Sequence, residues 1–157
     1  HFDGVGTIVK RLFEIVQPTH AYFGEKDFQQ LQIVKKLVSK YNIPVKVIGC
    51  PIYRETNGLA MSSRNERLSK TEREKAELIF ETLNHAKQLF GTKSAKEVSQ
   101  WVANAFAKQQ LFELEYFQIA DEETLLPCVR KTKSKKYRAF IAVFVNNIRL
   151  IDTISLN

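Results

Sequence analysis

"HAYFGEKDFQQLQIVKKLVSKYNIPVKVIGC", residues 20–50, is the stretch on which the fold turns. "HAYF" reads as a short buried strand that runs to Gly24, and "PVKVIGC" reads as a second strand. Between them, "DFQQLQIVKKLVSKY" carries Leu31, Val34, Leu37 and Val38 at helical spacing, with Lys35, Lys36 and Lys40 on the outer side. Asp27 stands where an N-cap belongs. Two strands joined by a helix and short links predict parallel strands with a crossover helix. Upstream, "DGVGTIVKRLFEIVQP" predicts another helix, with Val5, Ile8, Val9, Leu12, Ile15 and Val16 on its apolar face and Pro18 ending it.

From Pro51 the pattern changes. "ETNGLAMSSRNERL" is a polar loop, in which Gly58 would allow movement. Ser69 and Glu72 form a capping box ahead of "REKAELIFETLNHAKQLF", whose apolar face is Ala76, Ile79, Phe80, Leu83 and Phe90, with Gly91 at its C-cap. Ser94 and Glu97 open a further helix lined by Val98, Trp101, Val102, Ala105 and Phe106. Strands follow: "ELEYFQIAD", then "RAFIAVFV" and "IRLIDTISL" around the two-residue turn Asn146-Asn147, whose asparagines tolerate positive φ. The fold class is therefore α/β followed by α+β. Residues 1–52 form the tail end of an open α/β domain, and residues 53–157 a smaller domain of helices packed on an antiparallel sheet. The two-sided apolar strand "FIAVFV" is expected to be core.

The composition, 44% hydrophobic and 26% charged, is that of a soluble globular chain. No apolar run approaches the ~20 residues of a membrane span, and no secretory leader is visible. Cys50 and Cys128 lie far apart with no metal-ligand spacing, which suits free thiols in a cytoplasm. The chain opens "HFDGV" without an initiator Met and so reads as a piece of a longer protein. The net charge of +7 owes much to "RKTKSKKYR", residues 130–138. That run can attract nucleic acid or acidic lipid headgroups, but it offers only Tyr137 for stacking, and a solvated hairpin tip is the simpler reading.

Ligands of open α/β sheets sit beyond the carboxyl ends of the strands, where Gly24-Glu25-Lys26-Asp27 falls. Gly24 permits close backbone approach, Lys26 offers a mobile positive charge, and the helix start favours anions. Gln29 and Gln30 in the first turn could hydrogen-bond a polar substrate. In "LAMSSRN", Ser62, Ser63 and Arg64 could converge on a phosphate chain. The same two stretches also suit an ordinary strand-to-helix turn and a plain surface loop. His1, His20 and His85 are isolated, and neither GxGxxG, a Walker motif nor HExxH is present.

Together, "HFDGV", "QPTHAYFGEKDFQQLQIVKKLV", "GCPIYRETNGLAMSSRNERLS" and "RLID" resemble the pantothenate synthetase (pantoate–β-alanine ligase) family, densely up to about Ser69 and diffusely to the C-terminus. The resemblance implies a Rossmann-like nucleotidyltransferase fold related to class I aminoacyl-tRNA synthetases, with "MSSRN" as the counterpart of their mobile signature loop. It implies ATP-dependent condensation of pantoate with β-alanine through a pantoyl adenylate, with Mg²⁺, and release of AMP and pyrophosphate. It assigns Lys26, Ser62 and Arg64 as catalytic contacts to phosphate. Gly24, Glu25, Lys26, Asp27, Tyr53, Met61, Ser62, Ser63 and Arg64 bind ATP, and Gln30 binds pantoate. It assigns no metal-ligating side chain, and it implies a cytoplasmic homodimer. The family's paired-histidine signature has no counterpart here, so the resemblance is to a C-terminal portion, expected to be inactive alone. Two other readings compete: a basic non-enzymatic module for RNA or an acidic partner, and a nucleotidyltransferase for another acid.

Overall fold

The computed structural model describes residues 2–157, with side chains from Gly4 onward; His1, one of the three isolated histidines, lies outside the described residues. The chain divides into two compact units, His1–Ile52 and Tyr53–Asn157.

In the first unit, α1 (Phe2–Val16) is followed by β1 (His20–Gly24), α2 (Phe28–Lys40) and β2 (Lys46–Cys50). The strands pair in parallel, from His20↔Lys46 to Gly24↔Cys50, so their carboxyl ends lie side by side. α1 ends as the sequence predicts: Gln17 takes a left-handed φ of 49° and Pro18 follows. α2 buries Phe28, Leu31 and Val34, and Val34 joins Phe13 and Val45 in a small core. Gly49 is needed for that packing, because a Cβ there would stand 2.9 Å from Leu31 Cδ2.

The apolar face of α1 needs correction. Among the described side chains of α1, Phe13, outside the expected set, is the buried one, and Val9 packs beside it. Ile8, Leu12, Ile15 and Val16 are exposed. Those residues sit on the far side of an apolar arc wider than one helix and two strands can cover. Asp27 also departs from expectation. Glu25–Asp27 wind into a 3-10 turn that runs directly into α2, and Asp27, at φ −98° and ψ 55°, makes no side-chain cap bond. A capping residue stands in the extended region, and Asp27 does not.

The second unit holds α3 (Lys70–Lys75), α4 (Glu77–Phe90), α5 (Ala95–Phe106) and an antiparallel sheet of β3 (Phe112–Asp121), β4 (Tyr137–Val145) and β5 (Ile148–Ser155), with β4 central. Ile79 and Leu83 of α4, Val98 and Val102 of α5, and Ile141, Val143 and Val145 of β4 form the centre of one core. β4 is buried along nearly its whole length, as its two-sided apolar sequence requires. The β4–β5 connection is the expected two-residue turn, with Asn146 at φ 52°; Asn147 does not share that conformation.

Both capping boxes form, at Ser69/Glu72 and Ser94/Glu97. The helix expected to run unbroken through Ala76 is instead divided there. Ile79 N–H donates to Ala76 O, a three-residue spacing, and Ala76 itself is fully buried. Neither glycine nor proline marks the break; it is set by packing, which local propensity does not report. Gly91 is the C-cap of α4, in the right-handed conformation at φ −56°. Lys131 completes that end, donating to Phe90 O at 2.5 Å with its ammonium 4.6 Å from the Phe90 ring centroid.

Candidate functional site

In the first unit, Gly24 is the last residue of β1, at the edge where both parallel strands end. Glu25, Lys26 and Asp27 form the 3-10 turn above that edge, and Gln29 and Gln30 lie in the first turn of α2. Gly24 and Asp27 are exposed; Glu25, Lys26, Gln29 and Gln30 are half-buried. A Cβ at Gly24 would meet nothing within 4 Å, so the backbone there is open to approach.

In the second unit, Tyr53 is 76% exposed. Residues 54–60 then fold into a miniature hairpin. Arg54 bridges Ala60, Glu55 N–H donates to Leu59 O at 2.9 Å, and Gly58 N–H donates to Glu55 O at 2.9 Å. Asn57 stitches the tip, donating to Arg73 O at 2.9 Å and accepting from Leu59 N–H at 3.2 Å. Gly58 takes φ +89°, and a Cβ there would stand 2.5 Å from Phe80 Cδ1. Gly58 is therefore a close-packed position, which corrects its reading as a point of loop movement.

The chain leaves this hairpin with Leu59 and Ala60 buried and turns outward at Met61. Met61, Ser63 and Arg64 are exposed, and Ser62 is half-buried. Ser63–Arg67 form a 3-10 turn, with Ser62 Oγ accepting from Arg64 N–H at 3.2 Å. The loop plunges back at Asn65, which is 1% exposed. Four candidate residues, Met61 to Arg64, thus stand on a short ordered projection between two buried neighbours.

Two ion pairs brace this segment, and the sequence reading missed both. Arg54 makes a bidentate pair with Asp152 at 2.6 and 3.0 Å, and its guanidinium lies 3.8 Å from the Phe80 ring centroid. The Asp152 side chain is only 2% exposed. Glu55 takes a bidentate pair from Arg73 at 2.7 and 2.9 Å, and Asn65 Nδ2 donates to the same carboxylate at 2.6 Å. The Arg73 bonds, with the Asn65 bond after them, hold the Glu55 carboxyl below its ordinary range against the opposing effect of burial. The second Nδ2 proton of Asn65 goes to Ala60 O at 3.1 Å. Flipping this amide would set its oxygen against a carboxylate and a carbonyl, so the orientation is unambiguous. Its Oδ1 is buried and meets no hydrogen-bonding protein atom among the described residues.

Three of the six basic side chains in the 130–138 run are committed within the second unit, while Arg130, Lys133 and Lys136 are exposed. Lys131 caps α4, Lys135 pairs with Asp121 at 3.2 Å, and Arg138, 6% exposed, pairs with Glu122 at 3.0 Å. The Tyr137 hydroxyl accepts from Thr132 N–H at 3.1 Å and donates to Arg130 O at 3.3 Å, so it is not a free stacking platform. Asp121 organises the start of this connection. The Thr124 N–H and hydroxyl bonds, helped by Lys135, hold its carboxyl at about 2. His85 is exposed on α4, as expected, and stacks on Trp101 with centroids 4.2 Å apart. Both cysteines are free thiols, and burial pushes Cys128 upward. Among the described residues there is no group of three His, Cys, Asp or Glu side chains able to hold a metal ion, and no helix long and apolar enough to cross a membrane.

A family model described as pantoate-beta-alanine ligase matches residues 1–155, a span that includes both candidate stretches. The chain belongs to the pantoate-beta-alanine ligase family. It is 71% identical over 156 residues to the pantothenate synthetase of Flavobacterium psychrophilum, covering 99% of this chain and 55% of that protein. It is 57% identical to that of Christiangramia forsetii, covering 100% and 56%. The fold superimposes on a crystal structure of pantothenate synthetase from Thermus thermophilus with a TM-score of 0.87, at 39% identity over 98% of this chain and 55% of the other. A further neighbour, at TM-score 0.62 and 28% identity, covers 99% of this chain and 51% of that one. It is the Francisella tularensis pantoate-beta-alanine ligase complexed with beta-gamma ATP and beta-alanine. The chain spans about half the length of the family members it matches.

Proposed function

We propose that this chain is the part of a pantoate–β-alanine ligase that carries Lys26, Ser62 and Arg64 to the phosphates of ATP. The observation that carries the reading is the family match across both stretches, 24–30 and 61–65. In the reaction proposed for the whole protein, a pantoate carboxylate oxygen attacks the α-phosphorus and pyrophosphate leaves. The β-alanine amine then attacks the acyl carbon of the pantoyl adenylate, and AMP leaves with the electron pair of the broken C–O bond. Negative charge gathers on the α-phosphate oxygens and on the departing pyrophosphate, where fixed cations and N–H or O–H donors lower the barrier.

Lys26 supplies a point charge, Arg64 a planar fork of donors, and Ser62 a compact hydroxyl. Gly24, Glu25 and Asp27 around Lys26, with Met61 and Ser63 beside Ser62, complete the nucleotide contacts. Tyr53 lies at the adenine and Gln30 takes pantoate. Mg²⁺ would accompany the nucleotide and offset charge on its phosphates, with no side chain of this chain assigned to hold it. A Rossmann-like nucleotidyltransferase fold, a homodimer and a cytoplasmic setting, where ATP is abundant, complete the reading. The internal pairing of Lys131, Lys135 and Arg138 takes three of the six basic side chains of the 130–138 run away from the RNA-binding alternative.

The test is pantoate-dependent exchange of labelled pyrophosphate into ATP by the intact protein, followed by β-alanine-dependent release of AMP. Lys26→Ala and Arg64→Ala are each expected to lower kcat/KM about 10²–10³-fold. Exchange that other hydroxy acids support as well as pantoate would favour a different acyl substrate. No exchange with any acid would end the ligase reading.

A further inference from the structure

Asn65 occupies an unusual place. It is the first buried residue after the projecting Met61–Arg64 segment, and its side chain reaches back to the last buried residue before that segment, Ala60. Its other amide proton goes to Glu55, which Arg73 holds in turn. Its backbone N–H donates to Ser62 O at 3.0 Å, and Met61 N–H donates to Tyr53 O at 2.9 Å. The projection is thus closed at its neck by one side chain.

We propose that Asn65 is a positioning residue whose buried amide closes the neck of the Met61–Arg64 projection and so sets the direction of Ser62 and Arg64. As a role in catalysis this rests on the ligase reading; as a statement about the loop it does not. Only asparagine meets the local demand. Two N–H donors must point at a carboxylate and a carbonyl from one short side chain. Aspartate would oppose the Glu55 carboxylate, and serine has a single donor. Closing the neck removes loop conformations that a ligand would otherwise have to freeze on binding, so its loss falls on nucleotide affinity.

The first arm of the test needs no ligand. Hydrogen exchange is measured on this chain and its Asn65→Ala variant. Met61 N–H, which lies at the neck, is expected to exchange at least about 10-fold faster, while Ile141 and Val143 in the central strand keep their protection. No change at Met61, or equal acceleration at Ile141, would overturn the inference. Asn65→Asp gives a second handle should the alanine variant fail to fold. Relative to wild type at the same pH, its excess exchange at Met61 is expected to shrink as pH falls through the carboxyl range, since a protonated carboxyl donates to Glu55. An excess independent of pH would count equally against the inference.

The second arm uses the intact protein. Asn65→Asp is expected to raise KM for ATP about 10-fold and to leave KM for β-alanine unchanged. A merely structural loss would lower the active fraction and move neither. A wild-type protein without pantoate-dependent exchange would defeat the ligase reading while the first arm still decides the role of Asn65 in the loop.

Discussion

Replacing Gly58 by alanine tests the claim that the 54–60 hairpin is a fixed support. Gly58 sits at φ +89°, where an L side chain is strained by about 1–2 kcal/mol. The new Cβ would stand 2.5 Å from Phe80 Cδ1, against the ~3.5–4.0 Å of an ordinary carbon contact. The Phe80 ring cannot retreat freely, because the Arg54 guanidinium lies 3.8 Å from its centroid and is itself fixed by Asp152. Overpacking of this kind costs about 1–3 kcal/mol. Stiffening of the unfolded chain returns about 0.4–1 kcal/mol. The net loss is about 3 kcal/mol, within a range of about 1–4.5. For a unit near 100 residues, that lowers Tm by about 12–24 °C. Urea unfolding followed by Trp101 fluorescence reads the right unit, since Trp101 is the chain's one tryptophan and lies in it. A double-mutant cycle with Phe80→Val separates the two causes: the clash vanishes in that background and the φ strain remains. A Gly58→Ala protein within about 0.5 kcal/mol of wild type would refute the argument, as would an unchanged cost in the Phe80→Val background.

Other outcomes follow from the same unit. Asp152→Ala leaves Arg54 half-buried without its partner and is expected to cost about 3–5 kcal/mol, whereas Arg54→Met with Asp152→Leu should fold with little loss; paired urea titrations compare them. The Asp121 carboxyl is lower folded than unfolded, so its stabilisation is complete above the ordinary value of 3.8 and fades as pH falls toward about 2. Asp121→Asn should therefore flatten the acid limb of the stability profile in that window; an unchanged slope would contradict the assignment. Ser94→Ala removes the cap of α5 and is expected to cost about 1 kcal/mol, measured by the same unfolding assay.

What was legible in the sequence was what neighbouring residues decide together. The strand–helix–strand of 20–50, both capping boxes and the Asn146-Asn147 turn depend on spacings of a few residues, and all form, although β1 alternates exposed and half-buried residues rather than being the buried strand expected. The misreadings share a different origin. The apolar arc of α1 could not tell which half would be covered, because that depends on where α2 and the strands lie. The break at Ala76 and the rigidity at Gly58 come from side chains packed across the second unit. At the candidate site, the stretches around Lys26 and Ser62 stand out as local patterns, but the residues that hold the second in shape do not. Arg54 and Asp152 are 98 positions apart, and nothing near Arg54 announces its partner.

Asp152 did carry a signal from its own side. In β5 the inward row reads Ile148, Leu150, Asp152, Ile154 and continues to Leu156 just past its end, an apolar alternation broken once by a carboxylate. A charge in such a row is costly unless hydrogen-bond donors or a cation meet it, so the row points to a buried donor such as Arg or Lys from elsewhere in the unit. Of the basic residues in the second unit, most sit in helix faces or in the 130–138 connection, where period and exposure account for them. Arg54 sits in none of these; it opens the polar loop after Tyr53, between a strand end and a glycine turn. The broken row therefore predicts that the loop is drawn onto β5 by its first charged residue. A loop held at that point by Arg54 and by the Glu55–Leu59 bond is fixed at its base, with Met61 to Arg64 projecting beyond Ala60.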